Sequence, residues 1–202
     1  MCNLYKINKM IQNGKGGEKT NKWGKVFEHE TSDFEDGELI SIHGDDYVYI
    51  DQGKSIAYLE QFKGEKEYIK KLKPDGMFRR LYDNYIHIIE KKHQLCLGST
   101  DEKIGLGYHK LKQYSKRYPN ANFRFSYMLN ECFWNSLRYE DTYEIMSDEG
   151  IGCFYVRGEN AAMRKTTLTN KEKKKEVYFP AKYKVEWEPI FEHIHARAPP
   201  LL

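Results

Sequence analysis

Cations and aromatic rings alternate in one stretch of the chain, a combination that suits contact with phosphates and bases. The residues concerned are Lys165, Lys173, Lys174, Lys175, Tyr178, Lys182, Tyr183 and Lys184. Ammonium groups bind phosphates while tyrosine rings stack on bases, so this stretch is a candidate surface for a nucleic acid or nucleotide. The same composition suits a solvated hairpin, because lysines on an exposed strand discourage pairing with another edge. The sequence leaves both interpretations open.

The acidic residues do not reproduce the full pattern of a metal-dependent nuclease of the PD-(D/E)xK type. That pattern needs an acid on one strand and Glu-x-Lys on the next, so that they hold a divalent metal and activate water. Residues 65–67 (Glu-Lys-Glu) have the wrong order, and residues 172–174 (Glu-Lys-Lys) lie in an expected turn. Asp141 and Glu144 form an acidic pair without a lysine partner. A nuclease is therefore the third interpretation, and it requires Asp141 or Glu144 to meet other acids in a cleft.

Histidines and cysteines occur at two spacings that chemistry can use. His193 and His195 would share one face of a strand, a spacing found in metal sites, but no patterned further ligands accompany them. His93 lies three residues before Cys96 and would touch it on a helix, although no third orienting group is evident. We therefore expect no catalytic residue, no metal site and no cofactor.

Tyrosine is the unusual component of the composition, with 16 Tyr and 10 Phe among 202 residues. Its ring supplies apolar area and its hydroxyl seeks a partner when buried, so it suits a core edge, a protein interface or a base-stacking surface. We expect five tyrosines to mediate self-association. They are Tyr47, Tyr49, Tyr58, Tyr114 and Tyr118.

Charge and cysteine content restrict the class of protein. The net charge is +3, from 33 basic and 30 acidic side chains, which does not create the strong positive field of most nucleic-acid binders. The four cysteines lie far apart, which indicates free thiols in a reducing, cytoplasmic compartment. No signal peptide or apolar run of membrane-spanning length occurs, so we expect no membrane partner.

The elements that would position these residues follow from apolar spacing and turn residues. Residues 38–43, 47–51 and 55–60 are short β-branched and aromatic runs bounded by Gly and Asp, which predicts hairpins. Residues 77–97 carry apolar side chains at three- and four-residue spacing, which predicts a long amphipathic helix. A second helix is predicted over residues 108–118, ended by Pro119.

The last third of the chain returns to mixed and β structure. Residues 123–127 alternate like a strand, and residues 139–145 and 151–157 flank a turn like a hairpin. The order of strands, helices and strands predicts an α+β fold, either an antiparallel sheet or a two-layer sandwich, with two to three helices inserted in the middle of the chain. We expect one domain over residues 1–202. Its parts are residues 1–62 (β-rich), 63–118 (helical), 119–190 (mixed and β) and 191–202 (tail).

The hairpin-rich residues 38–60, followed by the charged residues 65–72, resemble the strand-then-helix layout of insect-virus polyhedrins of the cypovirus kind. The resemblance implies a trimer-forming β-sandwich, cytoplasmic crystals that occlude virions, and dissolution in an alkaline gut. Interface tyrosines would ionise near pH ~10 and repel one another, which agrees with such dissolution. The sequence therefore favours a non-enzymatic, self-assembling structural protein, with a nucleic-acid-binding accessory protein as the alternative.

Overall fold

A mixed sheet of six strands forms the centre of the protein in a computed structural model, which describes residues 24–94, 104–134, 139–159, 162–167, 174–179 and 182–197. In order across the sheet the strands are β1 (Leu39–Ile42), β2 (Asp45–Asp51), β3 (Gly76–Arg80), β4 (Tyr85–Lys92), β5 (Asn122–Leu129) and β6 (Gly152–Tyr155). Strands β1 to β4 pair antiparallel, whereas β5 pairs parallel with both β4 and β6. The α+β fold class predicted from the sequence is confirmed.

Helices cover both faces of this sheet. They are α1 (residues 24–30), α2 (Gln52–Leu59), α3 (Gly107–Arg117), α4 (Glu131–Trp134), α5 (Glu140–Asp148) and α6 (Trp187–Arg197). Side chains of α2, α3 and α5 pack in one core cluster with Ile86 and Ile88 of β4. Side chains of α1 and α6 pack in a second cluster with Tyr85 and Ile89 of the same strand. The sheet is therefore buried on both faces at its centre.

Two small sheets complete the described structure. Strand β7 (Arg157–Glu159) pairs antiparallel with β10 (Lys182–Lys184), and β8 (Ala162–Thr167) pairs antiparallel with β9 (Lys174–Phe179). Among the described residues, no helix is long and apolar enough to cross a membrane.

The helix predicted over residues 77–97 is wrong for the part that the structure describes. Residues 76–80 and 85–92 are the antiparallel strands β3 and β4. Strands buried on both faces carry near-continuous apolar residues, which imitates the three- and four-residue spacing of a helix. The turn residues Asp83 and Asn84 and the isoleucines that follow favour a hairpin, and they were the evidence for strands in the sequence.

Two further predicted strands are helices. Residues 55–60 lie mostly in α2, and residues 139–145 lie mostly in α5. Asp51 explains why residues 55–60 are helical, because its side chain accepts a hydrogen bond from the Lys54 backbone N–H at 2.9 Å and caps α2. The segment 63–118 is consequently not helical throughout, since it contains β3 and β4. The helix predicted over residues 108–118 is confirmed as α3.

The tyrosines expected to mediate self-association pack largely inside one chain. Tyr47, Tyr49, Tyr114 and Tyr118 are 0%, 2%, 3% and 3% exposed, and Tyr58 is half-buried. Burial raises the pKa of Tyr47 and of Tyr49 to about 12. Core packing within one chain therefore accounts for these side chains, and self-association through them stays a prediction.

His93 is expected to make the fold less stable in acid. Its ring is buried 5.5 Å from the Phe27 ring and 5.9 Å from the Tyr183 ring, and burial lowers its pKa to about 4. The unfolded chain, with a histidine pKa of about 6.5, then binds the proton more tightly than the folded chain. Stability is fully present above pH ~6.5 and decreases by about 1.4 kcal/mol per pH unit as the pH falls toward the folded pKa.

Urea unfolding of the wild type and of His93→Phe at pH 7.5 and pH 5 measures this contribution. Between these pH values the wild type should lose about 2 kcal/mol more than the variant. His109→Gln, at an exposed position on α3, is the control and should behave like the wild type. An equal decrease in the free energy of unfolding from pH 7.5 to pH 5 in the wild type and in His93→Phe would contradict the prediction.

Candidate functional site

Four charged side chains meet where β3 and β4 lie side by side in the middle of the sheet. Asp75 immediately precedes β3, Glu90 and Lys92 lie on β4, and Lys110 lies in the first turn of α3. Gly76 pairs with Ile89 in the antiparallel register, which brings Asp75 beside Glu90. The side chains of Asp75 and Glu90 are only 10% and 9% exposed, so both carboxylates are largely removed from water.

The Lys92 ammonium lies among three oxygen atoms of this cluster. Its Nζ donates a hydrogen bond to Glu90 Oε1 and another to the Lys91 carbonyl at 3.2 Å. The same Nζ is 3.9 Å from Asp75 Oδ2. Two carboxylates and one peptide carbonyl therefore converge on a single cation.

Neighbouring elements hold the Asp75 carboxylate in place. Gln52, the first residue of α2, donates its Nε2–H to Asp75 Oδ1 at 2.9 Å. The backbone N–H of Lys91 donates to Asp75 Oδ2 at 2.7 Å. A Cβ atom at Gly76 would lie 2.6 Å from the Tyr49 hydroxyl, so glycine is needed for the chain to pass directly after Asp75. The carboxylate is thus oriented by donors on two other elements.

The two carboxyls differ in proton affinity because their neighbours differ. Burial raises the pKa of Asp75, and the nearby charge of Glu90 raises it further. Burial alone would also raise the pKa of Glu90, but the cations Lys92 and Lys110 outweigh it and the pKa is lowered. Lys110 Nζ donates directly to Glu90 Oε1. Such displaced proton affinities in a partly accessible cluster are typical of functional sites.

Lys91, which alternates with Glu90 and Lys92 along β4, fastens α1 to the sheet. Its Nζ donates to the carbonyls of Glu28 and Thr31 at 3.1 and 3.0 Å and to Ser32 Oγ at 2.6 Å. Burial lowers the pKa of Lys91 to about 8. Burial also raises the pKa of the Glu28 carboxyl, and the charge of Asp75 raises it further. Glu28 is therefore a third acid on the border of the site.

The lysine- and tyrosine-rich stretch singled out in the sequence lies elsewhere. Tyr183 is buried with its ring 4.8 Å from the Phe27 ring, so it cannot stack on a base, whereas Lys184 is exposed. Lys173 lies outside the described residues. The structure describes only the backbone, on β8, β9 and β10, for the remaining members of the stretch, which are Lys165, Lys174, Lys175, Tyr178 and Lys182.

The other sequence candidates do not assemble a site. Asp141 and Glu144 are exposed on α5, so the acidic pair proposed for a nuclease meets no cleft there. His193 and His195 lie on α6 rather than on a strand, and His195 Nδ1 is 3.8 Å from Asp45 Oδ2. Within the described part of the chain, no group of three or more His, Cys, Asp or Glu side chains could hold a metal ion.

Sequence reasoning missed Asp75, Glu90 and Lys92 because it placed Glu90 and Lys92 on a helix. The signal was nevertheless present, as residues 74–76 (Pro-Asp-Gly) are followed by residues 90–92 (Glu-Lys-Lys). These two segments form an acid followed by Glu-x-Lys on neighbouring strands, but this is evident only if the residues between them are assigned to two strands.

No protein-family model, no curated protein sequence and no solved structure matches this chain. Its class is therefore defined by fold and site. It is an α+β protein in which a partly buried cluster of acids and lysines lies at two central strands of a mixed sheet.

Proposed function

We propose that this chain is a metal-dependent nuclease of the PD-(D/E)xK type, which hydrolyses phosphodiester bonds. One observation carries the proposal: Asp75 at the start of β3 and Glu90-x-Lys92 on β4 converge, with the Lys92 ammonium between the carboxylates. This is the arrangement that holds a divalent metal and activates water in that class. The nuclease, which came third among the functions expected from the sequence, is the function we place first.

The donor set suits a hard divalent cation. One carboxylate oxygen each from Asp75 and Glu90 and the Lys91 carbonyl would hold it, since these oxygens converge on the Lys92 ammonium in this structure. Mg²⁺ prefers oxygen ligands, takes one or two carboxylates and keeps several waters, so it does not need a third acidic side chain. A bound cation of this kind lowers the pKa of water and offsets charge on the phosphate. The proposal replaces the expectation of no metal.

The protein's own residues have separate roles in the reaction. In hydrolysis a water oxygen bonds to phosphorus, the P–O bond to the leaving nucleotide breaks, and the leaving oxygen takes up a proton. Lys92 orients the water through Nζ, and Lys110, which is 29% exposed, offsets the charge that develops on the phosphate oxygens. Gln52 keeps the Asp75 carboxylate in its orientation through its hydrogen bond to Oδ1.

A cleavage assay with and without metal tests the proposal. We expect the purified protein to cleave DNA or RNA when Mg²⁺ or Mn²⁺ is present. Cleavage should stop when EDTA removes the metal. Duplex and single-stranded substrates of both nucleic acids are needed, with products separated on denaturing gels. Absence of metal-dependent cleavage of all four substrates would overturn the proposal.

The other functions expected from the sequence stay predictions. Mass measurement in solution, with and without nucleic acid, distinguishes them. Large assemblies free of nucleic acid would support a self-assembling, polyhedrin-like structural protein. A species that shifts with nucleic acid but never cleaves it would support an accessory binding protein. A reducing, cytoplasmic compartment, inferred from the scattered cysteines, is likewise a proposal.

A further inference from the structure

A surface cavity of about 230 Å³ lies between the loop that follows α2 and the C-terminal end of α3. Five cations line it, and they are Lys63, Lys66, Lys70, Lys71 and Arg117. Two carboxylates, those of Glu60 and Glu67, also line it, so the cavity carries an excess of positive charge. The charge balance differs from that of the whole chain, which is nearly neutral.

Most of these cations have no anionic partner within the described part of the protein. Lys71 forms an ion pair with Glu60 at 2.7 Å. Lys63, Lys66 and Lys70 form no ion pair with any described residue, and all three are exposed. A concave site with unpaired ammonium groups favours an anion with several oxygens, such as a phosphate.

Contacts to α3 give the cavity a defined shape. The Arg117 guanidinium donates a hydrogen bond to the Lys70 carbonyl, and the Gly64 N–H donates to the Arg117 carbonyl at 3.2 Å. The ring of Tyr68 lies 4.8 Å from Arg117 Cζ and 5.5 Å from Lys66 Nζ. The loop is thus fastened to the helix at three points, which keeps its lysines together.

The cavity is connected to the acid–lysine cluster through two segments of chain. Helix α3 carries Lys110 in its first turn and Arg117 at its end, which at 1.5 Å per residue places them about 10 Å apart along the axis. The same loop continues into Asp75. With a rise of about 3.4 Å per nucleotide along one strand, this distance corresponds to about three nucleotides.

We propose that this cavity binds a backbone phosphate of the nucleic-acid strand, about three nucleotides from the bond that is cleaved beside Asp75 and Glu90. The inference rests on the proposed nuclease function for its placement relative to the cleaved bond. Binding there is independent of base sequence, because ammonium and guanidinium groups contact phosphate oxygens and not base edges. It also anchors the substrate at a second point, which orients the scissile phosphate toward Lys92.

Binding measurements on a cleavage-inactive background test the site. The probe is fluorescein-labelled duplex DNA of about 16 base pairs, and its anisotropy is followed with Asp75→Asn protein. Adding Lys66→Ala and Lys70→Ala should weaken binding about tenfold and reduce the slope of log K against log salt by about 1 to 2. Both lysines are exposed, so the fold should be retained, which circular dichroism checks.

A charge-matched control separates a site from general attraction. Lys54→Ala with Lys25→Ala on the same background removes two exposed lysines outside the cavity and should leave the affinity unchanged. Equal losses of DNA affinity in the two double variants would overturn the assignment of a phosphate site to the cavity. So would unchanged binding in Lys66→Ala/Lys70→Ala, even if the wild type cleaves. If the wild type never cleaves but the cavity variant alone loses binding, the nuclease proposal fails and the phosphate site stands.

Discussion

Replacing Asp75 with asparagine, or Glu90 with glutamine, is expected to slow metal-dependent cleavage by about 10³-fold or more, equivalent to about 4 kcal/mol of transition-state stabilisation. Each substitution keeps the size of the side chain but removes one of the two negative charges that converge on the Lys92 position. The proposed cation then loses a ligand and binds more weakly. Less positive charge is then available to offset the negative charge of the phosphate. Initial rates on a labelled oligonucleotide measure the effect.

Stability should respond differently from activity, which separates a functional role from a structural one. Asparagine at residue 75 retains one of two hydrogen-bond acceptors and removes the repulsion between two buried carboxylates. We therefore expect the free energy of unfolding to change by about 1 kcal/mol or less. Calorimetric titration with Mn²⁺ should show weaker binding to both variants. A large loss of stability with unchanged cleavage would indicate that the cluster is structural.

Asp141→Asn is the matched control for these substitutions. Asp141 is exposed on α5, and it was one of the acids that the sequence suggested for a nuclease. Its replacement should leave cleavage unchanged, because it lies on a different element from Asp75 and Glu90. Equal losses of activity in Asp141→Asn and Asp75→Asn would contradict the assignment of the site.

The largest effect on stability is expected from Arg80→Met, which should reduce the free energy of unfolding by about 3 kcal/mol. The Arg80 side chain is 2% exposed, and its guanidinium donates to Asp45 Oδ2 at 3.1 Å and to Asp83 Oδ2 at 2.6 Å. Its Nε–H also donates to Asp83 Oδ1 at 3.3 Å. Removal of the arginine leaves two partly buried carboxylates without their cation, which costs more than the ion pairs themselves contribute.

Urea unfolding at neutral pH measures this loss. Arg79→Met is the matched control, because Arg79 is the preceding residue on β3 and forms no ion pair with a described residue. The free energy of unfolding of Arg79→Met should be lower than that of the wild type by about 1 kcal/mol or less. Adding Asp45→Asn to Arg80→Met should recover part of the stability, since one unpaired charge is removed. An unchanged urea midpoint for Arg80→Met would refute the prediction.

The two clusters lie at opposite ends of β3, with Asp75 before its first residue and Arg80 at its last. Arg80→Met should therefore leave cleavage unchanged under conditions where the variant is still folded. The proposed cleavage site and the Arg80 ion-pair network therefore lie at opposite ends of one strand and can be tested separately.

Local signals in the sequence determined several elements and the fold class. Strands β1, β2 and β5 and helix α3 follow from short-range alternation, helical spacing and turn residues, all of which act between near neighbours. Helix α6 was not predicted, because residues 191–202 were expected to form a tail. Helix α2 was mistaken for a strand, because its capping residue, Asp51, was read as part of a hairpin. Composition predicted abundant aromatic packing, but it did not tell which tyrosines lie in the core and which at a surface.

Only the tertiary structure decided the site. Strands β3 and β4 are covered on both faces, so their apolar residues imitate a helix, and that pattern concealed the hairpin. Asp75 and Glu90 are distant along the chain, and the register that pairs Gly76 with Ile89 brings them together. Hydrogen bonding between two strands sets the distance between the two carboxylates, so the acid and the Glu-x-Lys sequence could be related only after the hairpin was known.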